Sequence, residues 1–217
     1  MKKKDLYKYV VDYFTATMPT AETELAYDSP FQLLVAVILS AQCTDKRVNM
    51  VTPTLFAAYP DAHTMAKASV EDVYTYIHSI SYPNSKSEHL VAMARMLDEE
   101  FNGQVPESIE AMQKLPGVGR KTANVMAAVA FGQQAMPVDT HVFRVSARIG
   151  LTPNSKTPLQ TEQELVRHLP QHLLSQAHHW LLLHGRYTCT AHKPRCSSCG
   201  LSEVCMYYNK AQKGGKA

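Results

Sequence analysis

The chain has 217 residues, 45% of them hydrophobic and 19% charged, with a formal net charge of +3. Such a length and mix build a globular domain with a real core, and exclude a disordered or collagen-like chain. The mild positive charge suits a polyanionic partner without demanding one, since net charge governs association and not fold.

Taken in chain order, the elements are helices. Lys2, Lys3 and Lys4 open the chain, but Asp5, Lys8 and Asp12 interrupt the next stretch, so no secretory leader is expected. Leu6, Val10, Tyr13 and Phe14 recur at three- and four-residue steps, which predicts a helix over 3–17, ended by Pro19. Pro30 opens an apolar helix over 31–42. Its run from Phe31 to Ala41 is shorter than the ~20 residues of a membrane span, so it belongs in a core. Asp45 is the expected N-cap of a helix stopping near Pro60. Further helices are expected at 61–78, 85–101 (capped by Asn84 or Ser85) and 107–114. An Ala- and Val-rich helix then runs from about 120 to Phe131, followed by helices at 140–149, 161–169 and 172–184. The tail QKGGKA is expected to be disordered. No alternating run and no Asn-Gly or Asp-Gly pair marks a hairpin, so the fold class is all-α.

Between two of these helices stands Leu115-Pro116-Gly117-Val118-Gly119-Arg120-Lys121. Glycines two apart permit a left-handed turn and leave N–H groups uncovered. Those donors meet the positive end of a helix dipole, a natural seat for a backbone phosphate. A nucleotide P-loop is excluded, because it needs four residues between its glycines and Ser or Thr after the lysine. On this reading alone, Lys121 is a phosphate contact and Asp139, before Thr140-His141, is a helix N-cap.

Cys43 stands alone, whereas Cys189, Cys196, Cys199 and Cys205 fall within 17 residues. Four crowded thiols without a leader point to a metal centre in the cytosol rather than to disulfides. Zinc and an iron–sulfur cluster both accept four thiolates, and His184 and His192 lie close enough in sequence for a mixed zinc site. Lys193 and Arg195 in the six-residue gap would form a cationic patch for phosphates.

LPGVGRKTAN at 115–124 resembles the helix-hairpin-helix of the DNA glycosylase superfamily, most closely its endonuclease III branch. LLVAVILSAQCTD at 33–45, VDTHVFRV at 138–145 and HHWLLLHGRYTC at 178–189 carry the same resemblance through most of the chain. It implies a bifunctional DNA glycosylase and abasic-site lyase that excises oxidised pyrimidines from double-stranded DNA and cleaves at abasic sites. It makes Lys121 the nucleophile, aided by the dipole end and Arg120, both of which disfavour its charged form. It makes Asp139 catalytic and the four terminal cysteines ligands of a [4Fe–4S] cluster, with every interval matching.

The resemblance also implies Gln42 as an intercalating residue and a second wedge within Ser81-Tyr82-Pro83-Asn84-Ser85-Lys86. Tyr82 is the expected wedge, with a partly buried core tyrosine as the dull alternative; Asn84 and Lys86 are expected near phosphate. This segment departs from the commoner pattern, which begins with glycine and has no proline. The implied architecture is two helical lobes, 22–132 and 1–21 plus 133–217, with the chemistry in the cleft between them. The protein is expected to act as a cytoplasmic monomer, at the nucleoid if bacterial, with no membrane partner. A mismatch adenine glycosylase is disfavoured by Val37 and Lys121, and a thymine-mismatch enzyme by the same lysine. A non-catalytic DNA-binding module with structural zinc would not explain Lys121 and Asp139 together.

Overall fold

The computed structural model describes residues 1–214, with side chains through 212; among these there are helices and no strand. The chain divides into two compact units, Thr23–Gln133, and Met1–Glu22 with Gln134–Ala217.

The first unit is built around α2 (Pro30–Ser40), where Pro30 occupies the first turn and the Ser29 side chain accepts from the Gln32 amide. Every residue from Phe31 to Leu39 is buried. A helix apolar on all sides is stable only inside a core. Each fully enclosed leucine here (Leu33, Leu34, Leu39) contributes about 1.5–3 kcal/mol. Helices α3 (Asp45–Ala58), α6 (Pro83–Phe101) and α8 (Arg120–Val129) pack on α2. Ala123, Ala127 and Ala128 keep α8 slim at that contact.

Local caps set several boundaries differently from expectation. Thr44, not Asp45, caps α3, its side chain accepting from the Arg47 amide. The helix expected over 61–78 is two, α4 (Ala62–Ala66) and α5 (Val70–Ile77), because Asp61 forms a capping box with Thr64 and Ser69 caps anew. Helix α6 starts at Pro83, which places Asn84 and Ser85 inside it rather than at its cap. Helix α7 (Ile109–Met112), capped by Ser108, leads into the glycine turn.

In the second unit α1 (Lys3–Thr17) buries Tyr7, Val10 and Phe14, while Leu6 and Tyr13 pack at its margin. Phe14 stacks on Trp180, whose indole donates to the Met18 carbonyl at 2.8 Å. Helices α9 (Thr140–Ile149) and α11 (Leu174–Tyr187) form the central pair, with α10 (Pro158–His168) against α9. The closeness of α9 and α11 depends on Gly185, where a Cβ would stand 2.9 Å from the His141 Cβ. An unexpected α12 (Met206–Gly214) also packs on α9. The tail expected to be disordered from Gln212 is therefore helical through Gly214, and its last three residues lie outside the described residues.

Candidate active site and cysteine pocket

The glycine turn divides its labour unevenly. Gly117 has φ +78°, and a Cβ there would lie 3.0 Å from the Cβ of His89 on α6, so both backbone sign and space require glycine. Gly119 is ordinary extended backbone (φ −88°, ψ 176°) and serves as N-cap of α8 without any side-chain cap. Nothing stands within 4 Å of where its Cβ would be. The start of α8 is thus bare backbone facing open space, with Arg120 and Lys121 exposed in the first turn. Val118 corrects an expectation: its side chain is buried and its amide donates to the Leu115 carbonyl, so it anchors the turn and has no donor to offer.

Two of the expected duplex-opening residues share a backbone peculiarity. Gln42, exposed after α2, has φ 55°, and Tyr82, the N-cap of α6, has φ 57° and is 64% exposed. Left-handed non-glycine residues are costly and gather where function requires them. The dull alternative for Tyr82, a half-buried core ring, does not hold.

Lys86 also departs from expectation. It is only 6% exposed, and its Nζ donates to the carbonyls of Leu39 (2.8 Å) and Ala41 (2.7 Å) at the end of α2. Burial lowers its pKa, with Cys43 opposing the shift. A lysine so engaged does not reach a phosphate. Asn84 is exposed on the first turn of α6.

Asp139 caps α9, its Oδ1 accepting from the Val142 amide at 2.8 Å. Pro137, two residues upstream, is held by buried His178, whose Nδ1 bonds to the Pro137 carbonyl at 2.9 Å. Arg144, one turn into α9, donates to His141 Nδ1 and to the carbonyls of Gly185 and Cys189. A guanidinium only donates, so that imidazole nitrogen accepts. Burial lowers the pKa of Arg144, opposed first by Cys189 and least by Asp139, with Arg148 adding to the lowering.

Cys189, Cys196, Cys199 and Cys205 line one pocket, with His184, Arg195, Tyr207 and Tyr208 around it. All are free thiols. They lie close enough for their charges to interact: burial, then Cys189 and Cys205, raises the pKa of Cys196. Burial raises that of Cys199 against a hydrogen bond from the Leu201 backbone, with the other thiols adding to the rise. Among the described residues no three His, Cys, Asp or Glu side chains converge on a single ion. Four sulfurs around one pocket are a donor set that either zinc or an iron–sulfur cluster accepts. Burial drives His184 to about 4, and its Nε2 lies 3.6 Å from the Cys199 sulfur.

Arg148 binds this loop to α9. It donates to the carbonyls of Thr190 and Ala191, approaches the Cys189 sulfur at 3.5 Å, and stacks over Tyr207 at 4.6 Å. Arg144 and Arg148 are not singled out by sequence; their only trace is two arginines one turn apart in FRVSAR. Lys193 (φ 52°) and Arg195 are exposed on the loop.

Residues 35–171 match the family described as HhH-GPD superfamily base excision DNA repair protein. Endonuclease III of Escherichia coli (strain K12) is 47% identical over 192 residues, 88% of this chain and 90% of that protein. Endonuclease III of Bacillus subtilis (strain 168) is 42% identical over 208 residues, covering 96% and 95%. Among solved structures, a trapped endonuclease III–DNA covalent intermediate superposes with a TM-score of 0.93 at 40% identity, over 98% of this chain and 100% of that one. A thermostable thymine-DNA glycosylase gives 0.83 at 25% identity, over 96% and 97%. The fold and site define a base excision DNA repair protein, and within that class the chain belongs to the endonuclease III family. Membership of that family implies an iron–sulfur cluster, and four cysteines near the C-terminus line one pocket.

Proposed function

We propose that the protein is a bifunctional DNA glycosylase and abasic-site lyase, removing oxidised pyrimidines from duplex DNA through Lys121. The observation that carries this is an exposed lysine in the first turn of α8, beside an uncapped glycine N-terminus open to solvent. It stands in a chain 40% identical to an endonuclease III trapped covalently on DNA.

In this reading the amine of Lys121 attacks the anomeric carbon, and the base leaves with the electrons of the glycosidic bond. The sugar ring opens to an imine between Lys121 and the anomeric carbon, and its protonated form acidifies the neighbouring carbon-bound proton. Removal of that proton forms a double bond as the C–O bond to the 3′ phosphate breaks. Asp139 stabilises cationic character on the sugar and accepts or returns protons, while its other role as helix cap fixes where it stands.

Gly117, Gly119 and Arg120 present backbone donors and charge to the DNA backbone, with Asn84, Lys193 and Arg195 as further polar and cationic contacts. Gln42 and Tyr82 fill the space left when the damaged nucleotide leaves the stack. Cys189, Cys196, Cys199 and Cys205 hold a [4Fe–4S] cluster, which staples the loop bearing Lys193 and Arg195 and supplies charge rather than bond-making.

The test uses duplexes each bearing one oxidised base or an abasic site, treated with borohydride. A covalent adduct on the abasic duplex and base release from oxidised pyrimidines are expected. Tight binding without adduct would instead mark a non-catalytic DNA-binding module.

A further inference from the structure

We propose that Lys86 is a positioning residue that ties the Gln42 turn to the Tyr82 turn and so sets the spacing of the two wedges; this rests on the wedge roles proposed for Gln42 and Tyr82. Its ammonium holds the Leu39 and Ala41 carbonyls at 2.8 and 2.7 Å, and Gln42 is the residue after Ala41. Its own amide donates to the Tyr82 carbonyl at 3.1 Å. One residue therefore holds, through its side chain, the carbonyl that precedes Gln42 (φ 55°) and, through its backbone, the carbonyl of Tyr82 (φ 57°).

A buried ammonium is an expensive way to finish a helix, since carbonyls at a C-terminus are satisfied by glycine caps or water. What lysine adds here is reach: it joins carbonyls 45 and 47 residues away in sequence to the first turn of α6. One turn further along α6, His89 abuts Gly117 of the hairpin. The first two turns of α6 thus carry one wedge, tether the other and support the phosphate turn, all in one compact unit. Reacting geometry is unforgiving, and small misplacements by distant residues are costly in rate.

The experiment compares single-turnover borohydride trapping on an abasic site in duplex and in single-stranded DNA, using the full cluster-bearing protein. Chemistry at Lys121 is common to both, but only the duplex must be opened. Lys86→Met is expected to lower the duplex rate about tenfold and to leave the single-strand rate within about twofold of the parent. Lys86→Gln, which keeps a neutral donor, falls between on the duplex and is judged by the same criterion should Lys86→Met not fold. Equal loss on both substrates, no loss on either, or failure of both variants to fold would make the lysine a stabiliser only and overturn the inference. Gln42→Ala and Tyr82→Ala are measured alongside. If neither lowers the duplex rate, the wedge roles themselves fall; if they do and Lys86→Met does not, the tether alone falls.

Discussion

Asp139 carries two duties that a pair of substitutions separates. Its carboxylate caps α9 through Val142 and, in the proposed mechanism, faces the cationic sugar. Asparagine caps about as well as aspartate but bears no charge. Asp139→Asn is therefore expected to keep the thermal midpoint while slowing base release by about 10²–10³-fold. Asp139→Ala should add a loss of about 1 kcal/mol in stability, read by denaturant titration. At this scale much is legible in sequence, because Gly-x-Gly before Arg-Lys and an Asp before Thr-His are local signals. Lys86 is not: in Asn-Ser-Lys-Ser it looks like a solvated charge, and only the carbonyls of a distant helix end reveal its place. Val118 escapes sequence for a related reason, since which turn amides stay unpaired depends on the turn actually made.

Helix contacts decide what the elements tolerate. A Cβ on Gly185 would sit 2.9 Å from the His141 Cβ and 3.0 Å from Val145 Cγ2, both on α9. Gly185→Ala is expected to push α9 and α11 apart and destabilise by about 1–3 kcal/mol, measured as a lower denaturant midpoint. His179 on α11 is buried, which lowers its pKa despite its bond to the Ser175 carbonyl and the nearby Glu22. The unfolded chain then binds the extra proton, so this contribution to stability is present above the unfolded value of ~6.5 and is lost as pH falls below it. His179→Gln should flatten the decline of stability as pH falls below about 6.5, whereas an unchanged slope would contradict that role. Long periodic helices are legible from the pattern of apolar residues, α9 to the residue. The break between α4 and α5 is written there too, in Asp61-x-x-Thr64 and then Ser69-x-x-Asp72, but periodicity masks it. Helix α12 gives no such signal, since packing on α9 and the Arg148–Tyr207 stack support it.

For the molecule as a whole, the proposed cluster ligands would couple folding to cofactor. Phe14 meets both Trp180 and His184, and a Cβ on Gly200 would strike the Tyr13 ring at 2.5 Å, so the loop is set tightly on α1. Cys199→Ser is expected to yield a colourless, poorly soluble protein with a lower thermal midpoint; full stability without visible absorbance would contradict a structural cluster. Charge reversal at Lys193 and Arg195 should weaken duplex binding at all sequences alike. It should also make the slope of log affinity against log salt shallower by about one for each phosphate no longer held. The all-α class and the cysteine spacing are legible from sequence. The network of Arg144 and Arg148 is not, because their partners include loop carbonyls 45 and 42 residues away.

Bonding of Lys121 to deoxyribose is tested most directly by trapping the protein on an abasic duplex with borohydride, digesting the adduct and locating the modified residue by mass spectrometry. Sugar mass on Lys121, with no adduct but retained duplex binding in Lys121→Gln, is the predicted result. Modification of a different amine, or strand cleavage undiminished in Lys121→Gln, would contradict it.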